Sequence, residues 1–204
     1  MAGQRQVSSR RPAERKGDIR ERTILDTCEA LLAEKGYEAM TVGDIAQGAE
    51  LSRAAMYFYF GSKQETVTAL VARTVEQLWE RSRVTSETEN SAEAIAMAMQ
   101  RTVELWSKHG LVMRTAIDLS HTVPEIGELW NRTADLFIAA ITSVLERAGV
   151  PAGGKTTQAT AMAQALCWMI ERTLYHASQG TLAELQSASS TCAHIWRISA
   201  GLKP

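Results

Sequence analysis

Between residues 41 and 63 the sequence groups side chains whose chemistry suits a nucleic acid. Arg53 follows Ser52, a residue type that starts helices. An arginine one position into a helix can reach guanine O6 and N7 as a bidentate donor, or it can contact a phosphate or face solvent. Thr41 and Ser52 each have two readings, as helix caps and as hydroxyls directed at a phosphate backbone. The run Met56-Tyr57-Phe58-Tyr59-Phe60-Gly61-Ser62-Lys63 follows at once. Tyr57 and Tyr59 have an apolar body and a hydroxyl tip, which suits packing inward and touching phosphate outward. Phe58 and Phe60 take the packing role. Lys63 falls in the first turn of a helix, where free backbone N–H groups also favour an anion.

Other chemistry is poorly supported. Residues 149–156, Gly-Val-Pro-Ala-Gly-Gly-Lys-Thr, fit the phosphate-loop spacing G-x-x-x-x-G-K-[ST]. That motif needs a strand before it. Here residues 141–148 have helical spacing, with Gly149 as the residue just past the helix and Pro151 beyond. The four histidines form no metal-ligand spacing, and no G-x-S-x-G elbow occurs. No enzyme, cofactor or metal site is expected.

Bulk properties agree. The 204 residues are 45% apolar, enough to bury a core, and net charge is 22 − 23 = −1. The charge is uneven. Residues 1–22 carry seven basic side chains against three acidic ones, a net +4, which leaves −5 for the rest. A basic arm ahead of an acidic body suggests an anionic partner near the N-terminus, or a solvated tail. The acidic body argues against a DNA-compacting protein, which needs wide positive coverage. Cys28, Cys167 and Cys192 have no CxxC spacing and read as reduced core thiols, so a cytoplasmic location is expected. No apolar run reaches membrane-spanning length.

The elements that would position these residues are all helical: the pattern predicts an all-α chain of about nine helices. Residues 1–17 read as a disordered arm. The first helix runs from Asp18 to Lys35 and stops at Gly36. Two short helices, Val42–Ala49 and Arg53–Phe58, follow, lined by Gly43, Ala46, Gly48, Ala49, Ala54 and Ala55. Small side chains let helices cross closely, so that the second can project into a major groove. Ser62-x-x-Glu65 opens a long helix to Arg81, and residues 82–90 read as a linker. Further helices are predicted at Ala92–Lys108, Leu111–Leu119 (with Gly110 as the break), Pro124–Ala148, Thr157–Ser178 and from Thr181 to Ala200.

The stretch from Asp18 to Leu78 resembles the DNA-binding head of the TetR family of transcriptional regulators. The likeness is carried by Gly36-Tyr37, Thr41-Val42-x-Asp44-Ile45-Ala46-x-x-Ala49, Leu51-Ser52-x-Ala54-x-Met56-Tyr57-x-Tyr59-Phe60 and Ser62-Lys63. It implies DNA contacts by Thr41, Val42, Ser52, Arg53, Ala54, Tyr57, Tyr59 and Lys63. It further implies a homodimer on a palindromic double-stranded operator, released when a small molecule occupies the body. Glu128-Leu129-Trp130, Glu171-Arg172-Thr173-Leu174-Tyr175 and His194-Ile195-Trp196 resemble the EthR-like subgroup, which holds a long apolar tunnel in that body. The subgroup has asparagines where this chain has Cys167 and Ile170.

The body is therefore expected over residues 91–200 and the head over 18–78. Ile95, Met99, Thr102, Trp106, Trp130, Phe137, Ile141, Cys167, Ile170, Tyr175 and Trp196 are the candidate lining of a pocket for a small hydrophobic effector, with the Tyr175 hydroxyl and the indole N–H groups as polar anchors. An aromatic set at helical spacing is otherwise a packed core. Glu171 and Arg172, mid-helix in an apolar segment, read first as ion-pair or interface residues, with a functional polar anchor as the alternative. The all-round apolar helix near 159–170 needs more cover than one body supplies, which makes Ala161, Ala165 and Trp168 candidate dimer contacts.

Overall fold

The computed structural model describes residues 16–83 and 90–203, and among these every regular element is a helix. The basic side chains Arg5, Arg10, Arg11 and Arg15 of the expected arm lie outside the described residues, as does most of the expected linker. The elements are α1 (Lys16–Ala39), α2 (Val42–Gly48), α3 (Arg53–Tyr59), α4 (Lys63–Arg83), α5 (Ser91–Leu119), α6 (Pro124–Arg147), α7 (Ala159–Ala177) and α8 (Leu182–Ser199).

There are thus eight helices among the described residues, not nine. The difference lies at Gly110. The chain bends at His109 (φ −123°, ψ 21°) without ending α5. Gly110 serves a close approach instead: a Cβ there would stand 3.3 Å from the Ser178 Cβ, at the end of α7. Gly36 does mark the end of the straight part of α1, with φ 74°.

Helix α1 buries Ile24, Leu25, Cys28 and Leu32, one face at helical spacing. They meet Met40, Ile45, Ala46, Ala49, Met56 and Phe60 from the short helices and Val67, Leu70 and Val71 from α4. Burial pushes the Cys28 thiol up to about 12, so it stays a neutral core residue. Small residues act as the spacing predicts, with one change of partner. A Cβ on Gly48 would stand 2.6 Å from Thr27 Cγ2, so this glycine lets α2 lie against α1 rather than α3.

The α2–α3 turn is held by backbone geometry. The Leu51 N–H donates to the Ala46 carbonyl at 2.8 Å and the Glu50 N–H to Gln47 at 3.1 Å. This is a Schellman closure, with Glu50 at φ 56° where glycine is usual. The start of α2 is a reciprocal cap. Thr41 Oγ1 accepts from the Asp44 N–H, and the Asp44 carboxylate accepts from the Thr41 N–H at 2.8 Å and its hydroxyl at 2.7 Å. Lys35 adds an ion pair at 3.0 Å.

Helices α5 to α8 pack around Met99, Trp106, Ile126, Leu145, Leu166, Leu174 and Trp196, continuous with the first core. Gly127 is required here: a Cβ would meet the Ser120 carbonyl oxygen at 2.5 Å. Residues 149–156 follow a helix, with Gly149 at φ 97° past the Ala148 cap, so the phosphate-loop spacing sits in the wrong context. No helix of the described chain is long and apolar enough to cross a membrane.

The cap around Asp44 gives a pH prediction. Its hydrogen bonds from Thr41 and Lys35 hold the carboxyl down at about 2, below the ordinary 3.8. A depressed carboxylate stabilises the fold above its ordinary value, and that contribution is lost as pH falls through about 2. Acid titration followed by circular dichroism should show this loss in the parent chain. Asp44→Asn should be less stable at neutral pH, and the gap should close toward pH 2.

Candidate nucleic-acid interface and cavity

Helix α3 buries one side and exposes the other. Its inner side is Met56, fully buried, with Ala55 and Tyr59 half-buried. Its outer side is Arg53, Ala54, Tyr57 and Phe58, at i, i+1, i+4 and i+5, a single helical face. Phe58 is 86% exposed and packs only its edge on Tyr59, with centroids 5.6 Å apart. The expectation that Phe58 packs inward is therefore corrected. In the Phe58-x-Phe60 pair only Phe60 reaches the core, because residue 60 has left the helix at φ −141° and turns back inward.

Each expected DNA contact has a definite place. Ser52 caps α3 by accepting from the Ala55 N–H at 3.1 Å. Thr41 caps α2, and Val42 is half-buried beside it. The Arg53 guanidinium lies over Gly43, whose missing side chain leaves the room: a Cβ there would be 2.7 Å from the guanidinium. Lys63 is more engaged than its spacing suggests. Its ammonium donates to the Tyr37 carbonyl at 2.8 Å and to Glu38 at 3.4 Å, and it stands 4.3 Å from the Tyr37 ring centre. It clamps the end of α1 to the start of α4.

In the second half of the chain a cavity of about 320 Å³ opens between α4, α5, α6, α7 and α8. Met99, Thr102, Trp106, Trp130, Phe137, Ile141, Cys167, Ile170 and Trp196 line it. Ile95 does not: it is fully buried in solid core. Tyr175 does not either. It lies on the outer side of α7, where its hydroxyl donates to Asp118 at 2.7 Å and Arg172 rests 5.1 Å above its ring. The hydroxyls of Thr102 and Thr133 donate to carbonyls of their own helices, both at 2.8 Å.

Two features of the lining escaped the sequence reading. Val75 and Trp79 of α4 form part of the wall, and Trp79 meets Phe137 edge-on with centroids 6.1 Å apart. Bounds of 18–78 for the head and 91–200 for the body leave Trp79 to neither, although an apolar Trp79 ahead of a polar linker is a signal. The second is Glu171, whose carboxylate accepts from the Trp130 indole N–H at 2.7 Å. Burial raises this carboxyl above its ordinary range, against the pull of Trp130 and Arg172.

Polar ties join the two halves. Arg73 of α4 holds Asp26 at 2.7 Å and Glu29 at 3.4 Å on α1. Glu29 also holds His109 Nδ1 at 2.5 Å, at the bend of α5. Gln64 at the start of α4 donates to Glu125 at the start of α6 at 3.0 Å.

On the outside of α7, Ala165 and Trp168 are exposed and Ala161 half-buried, Trp168 at 43%. Ile195 and Ile198 of α8 are exposed as well.

Comparison with known proteins agrees with this geometry. The family model for bacterial regulatory proteins of the tetR family matches residues 24–70. The model for the C-terminal domain of the transcriptional regulator EthR matches residues 95–200. The HTH-type transcriptional regulator EthR of Mycobacterium tuberculosis is 33% identical over 198 residues, covering 92% of this chain and 89% of its own. The chain belongs to the TetR family of transcriptional regulators and resembles EthR within it. A repressor named KstR2 from the same organism is 32% identical over 87 residues, 42% of this chain and 44% of its own. A transcriptional regulator from Saccharomonospora viridis, solved in complex with choline, shares the fold: TM-score 0.69, 21% identity, 87% of this chain and 95% of that one. As a TetR-family regulator the protein binds DNA, and its relatives are regulators rather than enzymes.

Cavity wall and packed core respond differently to mutation. Leu145 is fully buried and outside the lining, and Leu145→Ala should cost about 2–5 kcal/mol in urea denaturation. Ile141 lies one turn earlier, in the wall. Ile141→Trp should fold with stability within about 1.5 kcal/mol of the parent, because its extra volume enters free space. Strong destabilisation by Ile141→Trp would indicate that the space is filled by motion of the walls.

Proposed function

We propose that the protein is a cytoplasmic repressor that binds a palindromic operator as a homodimer and releases it when a small, mostly hydrophobic molecule occupies the cavity. The head would span residues 18–78 and the ligand-binding and dimerising body residues 91–200; the two family matches fall within those bounds. One observation carries the reading. Helix α4 begins at Lys63, separated from α3 by residues 60–62 and clamped to the end of α1, and supplies Val75 and Trp79 to the cavity wall. A ligand that needs a different position of that wall tilts the head by the same helix.

In this reading α3 enters the major groove. Arg53 reads a guanine edge, and Ala54 and Phe58 offer apolar contact to thymine methyl groups. Thr41, Val42, Ser52, Tyr57, Tyr59 and the remaining ammonium proton of Lys63 face phosphates and fix register. Two heads on a dimer would enter successive major grooves about one helical turn apart. Ala161, Ala165 and Trp168 with Ile195 and Ile198 would form a self-complementary face, which a twofold axis covers with its own copy. The repressor relative and the choline-bound structure neighbour support repression and ligand binding as family habits.

Operator selection from random DNA gives the sequence on which to test Arg53. Arg53→Ala should weaken operator binding by about 1–3 kcal/mol and relax preference at one position. Unchanged base preference with a shallower salt dependence would make it a phosphate contact. The dimer face has its own test. Ala165 is exposed on the monomer, so Ala165→Glu should fold and run as a monomer in light scattering. A stable dimer of that variant would move the interface elsewhere.

A further inference from the structure

A wholly apolar ligand leaves Glu171 without a role. Its carboxylate is half-buried in the cavity lining, where ionisation is opposed by burial. The Trp130 indole supplies one hydrogen bond, and no ion pair to Glu171 occurs among the described residues. A carboxylate accepts at two oxygens and about four lone-pair directions, so most of its capacity is unmet. A buried charge is costly unless it is paired. Of the other polar groups of the wall, Thr102 and Thr133 bond their own helices and Ser143 accepts from Arg147 at 2.8 Å, while the buried Trp196 indole N–H has no partner among the described residues and stays open to an acceptor on the ligand.

Among the described residues the one cation in the lining is Arg147, exposed at the C-terminal end of α6. Trp130, which holds Glu171, is 17 residues earlier on that helix, about 25 Å away along its axis. The cavity wall is therefore polarised: a desolvated carboxylate at one end, an exposed guanidinium at the other, and between them Ala134, Phe137, Ile141 and Val144. Trp106, Trp130 and Trp196 also line it, and an indole ring attracts a cation placed over its face.

We propose that the cavity takes an elongated hydrophobic amine, its ammonium seated on Glu171 beside the Trp130 indole and its hydrocarbon body running along α6. The inference rests on the ligand-sensing reading above and adds the charge and orientation of the ligand. The ammonium supplies the ion pair that Glu171 lacks and donates to the free oxygen. A fatty carboxylate in the same orientation would meet repulsion. In the reverse orientation it would gain only a solvated Arg147, whose field water screens.

The test is isothermal titration of the full chain at pH 7 with decylamine, decan-1-ol and decanoate, each below its aggregation concentration. The three share a chain and differ in head-group charge. Decylamine should bind about tenfold tighter than decanol, and decanoate more weakly than either. Glu171→Gln should bring decylamine to within about twofold of decanol while leaving decanol binding unchanged. Decanol binding as tightly as decylamine, or decanoate tightest of the three, overturns the amine assignment and leaves the cavity as an apolar sensor. Failure of all three compounds to bind overturns the ligand-sensing reading as well. The ranking on the unmodified protein decides the matter even if Glu171→Gln does not fold.

Discussion

The structure depends on the continuity of α4. Sixteen residues separate Lys63 from Trp79, about 24 Å of helix in which each turn is bonded to the next. Such a segment does not flex in the middle without a proline, a glycine pair or an inserted group, and its sequence has none of these between Lys63 and Trp79. Its first turn is clamped to the end of α1 through the Lys63 ammonium. Its middle, through Val67, Leu70 and Val71, is core for the short helices. Its last part is cavity wall. On the proposed mechanism α3 and the Trp79–Phe137 contact would move as one lever through this helix, with no further relay needed.

The polar ties set what else must move with it. Glu29 is shared between Arg73 of α4 and His109 of α5, so a shift of α4 against α5 alters both contacts at once. His109 sits where α5 departs from helical geometry, the place at which that helix can hinge with least loss of backbone bonding. Gln64 and Glu125 form a second, more exposed tie near the start of α4. On the proposed mechanism a ligand acts only through its differential affinity for the two arrangements of these contacts. Moving the balance from 1:99 to 99:1 needs about 5.5 kcal/mol. A charged head group meeting a desolvated carboxylate is one way for a small molecule to gather such a difference.

Much of this was legible in the sequence because it rests on local rules. Thr41 with Asp44, Ser52, Ser62 with Glu65 and Thr181 with Glu184 mark helix starts through side chains that bond their own backbone. Gly36 and Gly149 mark ends because they adopt positive φ. What failed depended on partners distant in sequence. Gly110 looks like a breaker, but its lack of a side chain accommodates Ser178. Phe58 looks like a core residue by type, yet it falls on the face of α3 that carries Arg53, Ala54 and Tyr57, opposite buried Met56. Ile95 and Tyr175 share the helices that carry the lining but sit on other faces of them. Helical period identifies a stripe; it does not say whether the stripe meets packed neighbours or an open space. The sequence leaves Glu171 open between ion pair, interface and polar anchor for the same reason: nothing local shows that Trp130, forty-one residues earlier, would meet it.

On the proposed mechanism the distribution of charge would let a modest tilt control DNA binding. Beyond residue 22 the chain sums to −5, so the bulk of the molecule repels a phosphate backbone. Affinity must then come from a small exposed face on α3 and the hydroxyls around it, and one short helix of seven residues offers few contacts. On the dimer reading the second head binds at an effective concentration set by the rigid body between the two. That gain exists only while both recognition helices match the spacing of successive grooves. A lever fixed at the head and free at the cavity wall changes this spacing without disturbing any base contact. Loss of register would then cost the whole contribution of one head, while each head keeps its own fold, because the Asp44 cap and the Schellman turn at Glu50 are closed by bonds among residues 35–51 and Met56 packs on the first half of α4, which moves with the head.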